Sequence, residues 1–156
     1  MKRIKFLGSC CALAFFMMFQ ISGCSLFAPK VSLQKVIVDV EPKANSDTPL
    51  ALDFVAVADP QLLERLKGTP ANQWFAQREQ MRRDFPQGLN VWSLEVVPGQ
   101  LVTFASNPLQ GQKAEGVMLF AGYSTPGAHR LLLEKQSDIW LKIGAREMRL
   151  LDAQGQ

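Results

Sequence analysis

The chain has 156 residues and a formal net charge of +3, from 17 basic and 14 acidic residues. Residues 1–23 carry the whole excess, because they contain Lys2, Arg3 and Lys5 and no acidic residue, which leaves 14 of each sign in residues 24–156. A neutral remainder argues against nucleic acid as a partner, since such binding needs a basic face, and its roughly 130 residues suffice for one domain.

The first 24 residues have the layout of a secretory signal peptide that ends in a lipidated cysteine. Basic residues at positions 2, 3 and 5 precede an apolar stretch over 6–21, and the segment closes on Ile21-Ser22-Gly23-Cys24. This quartet resembles a bacterial lipobox, in which the cysteine thiol takes the lipid. We therefore predict a lipoprotein signal peptide over 1–23 and acylation of Cys24. The alternative is an uncleaved anchor or a signal that is cut elsewhere.

Acylation of Cys24 implies a protein that is anchored to a membrane and does not span it. Ser25 stands where an Asp would resemble the inner-membrane retention signal, so we expect the outer membrane, with the domain on its periplasmic face. Residues 24–33 would form the acylated N-terminus and a short tether. Cys10 and Cys11 leave with the signal peptide, so we expect neither a disulfide nor a cysteine metal site.

Two strands and a polar loop open the domain. Residues 36–40 are mostly β-branched, and residues 50–57 alternate, with Asp53 on the face opposite Leu52 and Phe54. This alternation predicts a half-buried second strand. Residues 41–49 are polar and bracketed by prolines, which is typical of a loop, so the two strands are expected to form a hairpin-like pair.

A helical insertion is predicted at about 60–85. Asp59-Pro60 and Thr69-Pro70 are helix start signals, the first for a short helix over 61–67 and the second for an amphipathic helix over 71–85. On the longer helix Arg78, Arg82 and Arg83 are interpreted as a solvated basic face. Contact with anionic lipid headgroups or an acidic partner is the alternative.

The rest of the chain reads as short strands separated by turn signals, among which Pro98-Gly99 is the clearest. The predicted strands cover residues 91–97, 100–105, 116–123, 130–134, 138–143 and 147–151. Short strands at this spacing favour a mainly β fold, a β-sandwich of about eight strands with a helical insertion, over residues 34–156.

The loop over 41–49 is the candidate recognition site, since a polar loop on a rigid sheet is a common place for binding. It comprises Glu41, Pro42, Lys43, Ala44, Asn45, Ser46, Asp47, Thr48 and Pro49, few of which are expected in the core. His129 is the only histidine and is interpreted as a surface or edge residue. No catalytic or metal-binding pattern stands out, so we expect no enzyme and no cofactor.

The order of these motifs resembles the outer-membrane lipoprotein of type VI secretion systems, the TssJ or SciN family. The resemblance rests on the lipobox, the polar loop before Pro49, the helical insertion, the strand that ends in Pro98-Gly99, and Gly116-Val-Met-Leu-Phe-Ala-Gly-Tyr123 followed by Arg130. It implies a transthyretin-like β-sandwich that binds the periplasmic C-terminal domain of the large inner-membrane subunit, TssM. The resemblance implies that this binding is made by the residues of the 41–49 loop.

Two other functions remain open at this point. A pilotin-like lipoprotein that escorts a secretin or another outer-membrane assembly factor would also join a lipobox to a small β domain. A periplasmic enzyme such as a wall hydrolase would need a clustered acid/base or metal site, which the sequence does not offer.

Overall fold

A computed structural model describes residues 29–151, in which eight strands and two helices form a β-sandwich with a helical insertion. The elements are β1 Lys35–Val40, β2 Leu50–Val57, α1 Pro60–Gly68, α2 Ala71–Asp84, β3 Leu89–Val96, β4 Leu101–Phe104, β5 Gly116–Ala121, β6 Arg130–Leu133, β7 Asp138–Ile143 and β8 Met148–Leu151. The predicted mainly β sandwich of about eight strands is confirmed. Neither helix in residues 29–151 is long and apolar enough to cross a membrane.

The strands form two four-stranded sheets, with β4-β1-β7-β8 in the first and β3-β2-β5-β6 in the second. In β1, Val36, Val38 and Val40 are buried and face the second sheet, while the intervening residues point outward. The predicted hairpin of β1 and β2 is wrong, because the two strands belong to different sheets. The 41–49 loop instead crosses the roughly 10 Å that separates packed sheets.

Strand β2 is buried on both faces, so the prediction of a half-buried strand is also wrong. Leu52 and Phe54 pack between the sheets, whereas Val55 and Val57 face the helices on the outer side of the second sheet. Asp53, expected on an open face, has a fully buried side chain for the same reason.

The helical insertion confirms the predicted start signals. The Asp59 carboxylate accepts a hydrogen bond of 2.7 Å from the Leu62 amide, and Pro60 occupies the first turn of α1. In α2 the Trp74 ring stacks on Phe120 of β5 at a centroid distance of 4.9 Å. The insertion therefore forms a second apolar layer over the second sheet, whose central strands are β2 and β5.

Arg78 is not part of the solvated basic face that the sequence predicts for α2. Its guanidinium lies 3.1 Å from the Asp53 carboxylate, which also accepts a 2.8 Å hydrogen bond from the Trp74 indole. Arg82 and Arg83 are exposed and contact Glu79 and Gln80 of their own helix. The interpretation as a solvated face is thus correct for Arg82 and Arg83 and wrong for Arg78.

The chain enters the sandwich at the end where β1 begins. Val31 and Leu33 are buried in the core, and the Val31 amide donates a 2.9 Å hydrogen bond to the Gln112 carbonyl. Residues 29–33 of the predicted tether therefore pack as part of the domain. The predicted signal peptide over 1–23 and the predicted acylation site Cys24 lie outside the described residues.

Candidate partner-binding surface

Four strand connections meet at the end of the sandwich opposite the entry of the chain. Because β1 and β7 run in parallel and β3 and β5 run antiparallel to β2, the β1–β2 loop shares this end with three other connections. We call it the loop end. It comprises the β1–β2 loop (41–49), the β3–β4 turn (97–100), the β5–β6 loop (122–129) and the β7–β8 turn (144–147).

Hydrogen bonds join the β1–β2 loop to each of the other three connections. The Gly99 amide donates to the Glu41 carbonyl at 3.2 Å, and the Asn45 amide donates to the Ala145 carbonyl at 3.1 Å. The Ser124 amide donates to the Asn45 side-chain oxygen at 2.7 Å. The loop end is therefore one bonded unit, so a ligand would meet a preformed surface.

Asn45 holds this unit together from a buried position. Its side chain is 3% exposed, accepts from the Ser124 amide and hydroxyl, and donates to the Thr48 hydroxyl and the Pro49 carbonyl. Its φ of 48° is left-handed, as are the φ values of Ser46 and Asp47, a conformation that Asn and Asp tolerate better than most residues. Two of the nine loop residues, Ala44 and Asn45, are buried, which agrees with the expectation that few residues of the loop belong to the core.

The other seven loop residues are accessible. Pro42, Lys43, Ser46, Asp47, Thr48 and Pro49 are exposed, and Glu41 is half-buried. Within residues 29–151, Lys43 and Asp47 take part in no ion pair. The loop thus displays one free positive and one free negative charge beside rigid prolines.

Tyr123 and His129 belong to the β5–β6 loop and stabilise the loop end through buried contacts. The Tyr123 hydroxyl lies 2.7 Å from the Glu147 carbonyl oxygen, and burial, with smaller contributions from Glu41 and Glu147, raises the pKa of Tyr123 above its usual value. The His129 ring packs on Tyr123 and hydrogen-bonds the Thr125 carbonyl at 2.8 Å. No group of three His, Cys, Asp or Glu residues within 29–151 is arranged to hold a metal ion.

Sequence reasoning missed the exposure of two large apolar side chains near this surface: Val97, in the β3–β4 turn, and Leu101, the first residue of β4. In the sequence both residues lie close to Pro98-Gly99, within the predicted strands 91–97 and 100–105. Their exposure depends on the register of β3 and β4.

Solved structures show what the chain resembles. No protein-family model matches it, and no curated protein sequence is significantly similar to it. It is similar to Lip of Serratia marcescens, a membrane-bound component of the type VI secretion system, at 11% identity and TM-score 0.54, over 79% of this chain and 100% of that one. It is also similar to the type VI lipoprotein TssJ1 of Pseudomonas aeruginosa, at 13% identity and TM-score 0.57, over 76% and 95%. A chain in the structure of the type VI secretion TssM C-terminal domain from EAEC matches at 12% identity and TM-score 0.57, over 77% and 98%. At these identities the similarity is one of fold.

Proposed function

We propose that this chain is a TssJ-type lipoprotein, a non-enzymatic scaffold subunit of a type VI secretion membrane complex. It is held on the periplasmic face of the outer membrane by acyl chains on Cys24. Through the β1–β2 loop it binds the periplasmic C-terminal domain of a TssM-like inner-membrane subunit. The observation that carries the proposal is the combination of a lipobox with a sandwich whose fold resembles those of Lip and TssJ1.

The order of the predicted lipidation site, the entry end and the 41–49 loop along the chain supports this role. Cys24 precedes Pro29 by five residues, which span at most about 18 Å, so the entry end of the sandwich must stay near the lipid. The six residues of β1 then extend about 20 Å to the loop end. An anchored domain of this form displays the 41–49 loop away from the membrane, where an inner-membrane partner would approach.

Replacing Cys24 with serine is expected to abolish lipidation, because the hydroxyl does not replace the thiolate as the acceptor. The full chain should then lose incorporation of labelled palmitate and disappear from the outer-membrane fraction. Membrane fractionation of labelled cells measures both. Replacing Ser25 with alanine is the control and should keep the label, whereas label in the serine variant would contradict the prediction.

Partner binding is tested with accessible loop residues, since a change at Asn45 would also disturb folding. The double variant Lys43→Glu/Asp47→Asn alters both free charges and keeps a residue that tolerates the left-handed conformation at 47. We expect affinity for the periplasmic domain of the inner-membrane subunit to fall at least tenfold, equivalent to about 1.4 kcal/mol. Calorimetry on purified domains measures the affinity.

A matched control makes the same changes of charge at the entry end. Lys113→Glu/Glu115→Gln alters exposed residues of the β4–β5 connection and should leave affinity within a factor of two. Equal losses in the two double variants would mean that the β1–β2 loop is not the binding site.

A further inference from the structure

We propose that Leu26 and Phe27, the two large apolar residues between Cys24 and the described part of the chain, dock into an apolar groove at the entry end of the sandwich. The predicted lipidation site is then held against the domain and not at the end of an extended tether. This inference concerns contacts within the chain and does not need the proposed partner, so each of the two can fail without the other.

The groove lies where the chain enters the domain, beside helix α1 and the end of β6. Its volume is about 450 Å³ and its wall is mainly apolar. Pockets of this size hold drug-sized ligands, which are larger than two side chains. We call it the entry groove. The apolar side chains that line it include Pro29, Val31, Leu63, Val117, Leu132 and Leu133.

The helical layer leaves one apolar side chain of this wall open to solvent. Leu132 of β6 is 42% exposed, although its cross-strand neighbour Met118 is buried under the helices and the two residues share a face of the sheet. A Cβ atom on Gly116 would lie 2.9 Å from a methyl group of Leu63 and 3.3 Å from one of Leu132. The α1 and β6 leucines therefore lie together over Gly116, with room beside them for a further apolar side chain.

The strand register directs the preceding residues towards this place. The segment before β1 pairs antiparallel with the β4–β5 connection, with Lys30 opposite Lys113. The pairing persists to Pro29, whose carbonyl accepts a 3.0 Å hydrogen bond from the connection. In an antiparallel pair each step back along one strand is a step forward along the other. Continued in the same direction, the chain brings Phe27 to the level of Gly116.

Reach and hydrophobicity both favour this occupant. Pro29 itself lines the entry groove, and Phe27 and Leu26 precede it by two and three residues, which span at most about 7 and 11 Å. Both side chains would face water if residues 24–28 were only a tether. Docking removes their apolar surface, and that of Leu132, from water, which is favourable.

The contact would fix how the domain sits on the membrane. Cys24 precedes Leu26 by two residues, which span at most about 7 Å, so the acylated residue would lie next to the entry groove. Without docking, the limit is the longer reach from Pro29. A domain held at this distance keeps its entry end on the bilayer surface and its loop end towards the periplasm. This consequence rests on the proposed acylation of Cys24, whereas the docking does not.

The first test measures stability in the absence of any partner. The variant Leu26→Ser/Phe27→Ser is compared with the parent mature chain, residues 24–156 with Cys24→Ser. We expect its melting temperature to fall by at least about 4 °C, because apolar side chains that fill the entry groove are lost. Leu101→Ser is the matched control, since Leu101 is an exposed leucine near the loop end, and it should change the melting temperature by less than about 1 °C.

A double-mutant cycle tests whether the segment contacts Leu132. Leu132→Ser should lower the melting temperature of the parent chain and should have little further effect once Leu26 and Phe27 are serine, because residues in contact are not additive. Full additivity would mean that the segment does not lie on Leu132 and would overturn the inference.

The second test locates the segment by cross-linking. Phe27→Cys/Leu132→Cys is made in the parent chain, where no other cysteine remains after residue 23, and in the full chain, where Cys24 is to be acylated. We expect a disulfide within one molecule under mild oxidation and in the periplasm, detected by faster migration of the unreduced chain in a denaturing gel. Phe27→Cys/Val97→Cys is the control, because Val97 is exposed in the β3–β4 turn, and should form no such bond.

Each contrary result has a definite meaning. An unchanged melting temperature for Leu26→Ser/Phe27→Ser, or equal cross-linking to positions 97 and 132, would overturn the inference. A disulfide-linked dimer in place of the intramolecular bond would overturn it in favour of a second copy as the occupant. A bond that forms in the soluble chain but not in the membrane-bound one would overturn it for the anchored protein, because the bilayer would then hold the two residues. None of these results depends on binding of the inner-membrane subunit.

Discussion

Replacing Arg78 with methionine is expected to destabilise the domain by about 3 kcal/mol, because it leaves a buried carboxylate without its cation. The Asp53 side chain is 1% exposed, and its oxygens contact the Trp74 indole and the Arg78 guanidinium. Arg78 is itself 35% exposed, which places the expected loss at the lower end of the range for buried pairs. Urea denaturation followed by circular dichroism measures the change in the free energy of unfolding.

A double variant tests the physical reason. Asp53→Asn removes the negative charge but keeps an oxygen that accepts from Trp74, so Asp53→Asn/Arg78→Met should be more stable than Arg78→Met alone. Arg82→Met is the matched control on the same helix. It removes an exposed pair with Glu79 and should change stability by no more than about 0.5 kcal/mol. Equal losses for Arg78→Met and Arg82→Met would show that the pair with Asp53 adds no stability.

Replacing Asn45 with alanine is expected to cost about 3 kcal/mol, from polar groups left without partners and from alanine in the left-handed conformation. Asn45 and Asp53 are the two buried polar side chains in residues 29–151. The change removes every side-chain hydrogen bond that links the β1–β2 loop to Ser124. The free energy of unfolding in urea measures the loss.

Two further variants separate the causes. Asn45→Gly removes the same hydrogen bonds but relieves the backbone, so it should recover about 1 kcal/mol relative to alanine. Ser46→Ala changes an exposed neighbour with a similar φ of 58° and should stay within about 0.5 kcal/mol of wild type. A loss below 1 kcal/mol for Asn45→Ala would mean that the loop does not depend on this side chain.

Local patterns in the sequence were enough for the elements themselves. The Asp59-Pro60 helix start and the Pro98-Gly99 turn depend on neighbouring residues and lie where the sequence predicts them. The strand over Asp138–Ile143 matches its prediction residue for residue. Periodicity reports which residues share a face of a strand or helix. The mainly β class with a helical insertion follows from the order of these elements. The lipobox likewise depends on four adjacent residues, and acylation of Cys24 stays a prediction.

Pairing across the fold was decided by the tertiary structure alone. The alternating pattern of a strand does not specify which other strand it pairs with. In the structure β1 pairs in parallel with β7, whereas β2 lies in the other sheet. Helix α2 covers the outer face of β2 and so buries Asp53. Arg78 pairs with Asp53 and is therefore not part of the predicted basic face. Asn45 is a residue type that is typical of surface loops, but its side chain accepts a hydrogen bond from Ser124, which lies 79 positions away in the sequence. Burial of a polar residue depends on such distant partners, and their positions become defined only when the two sheets pack together.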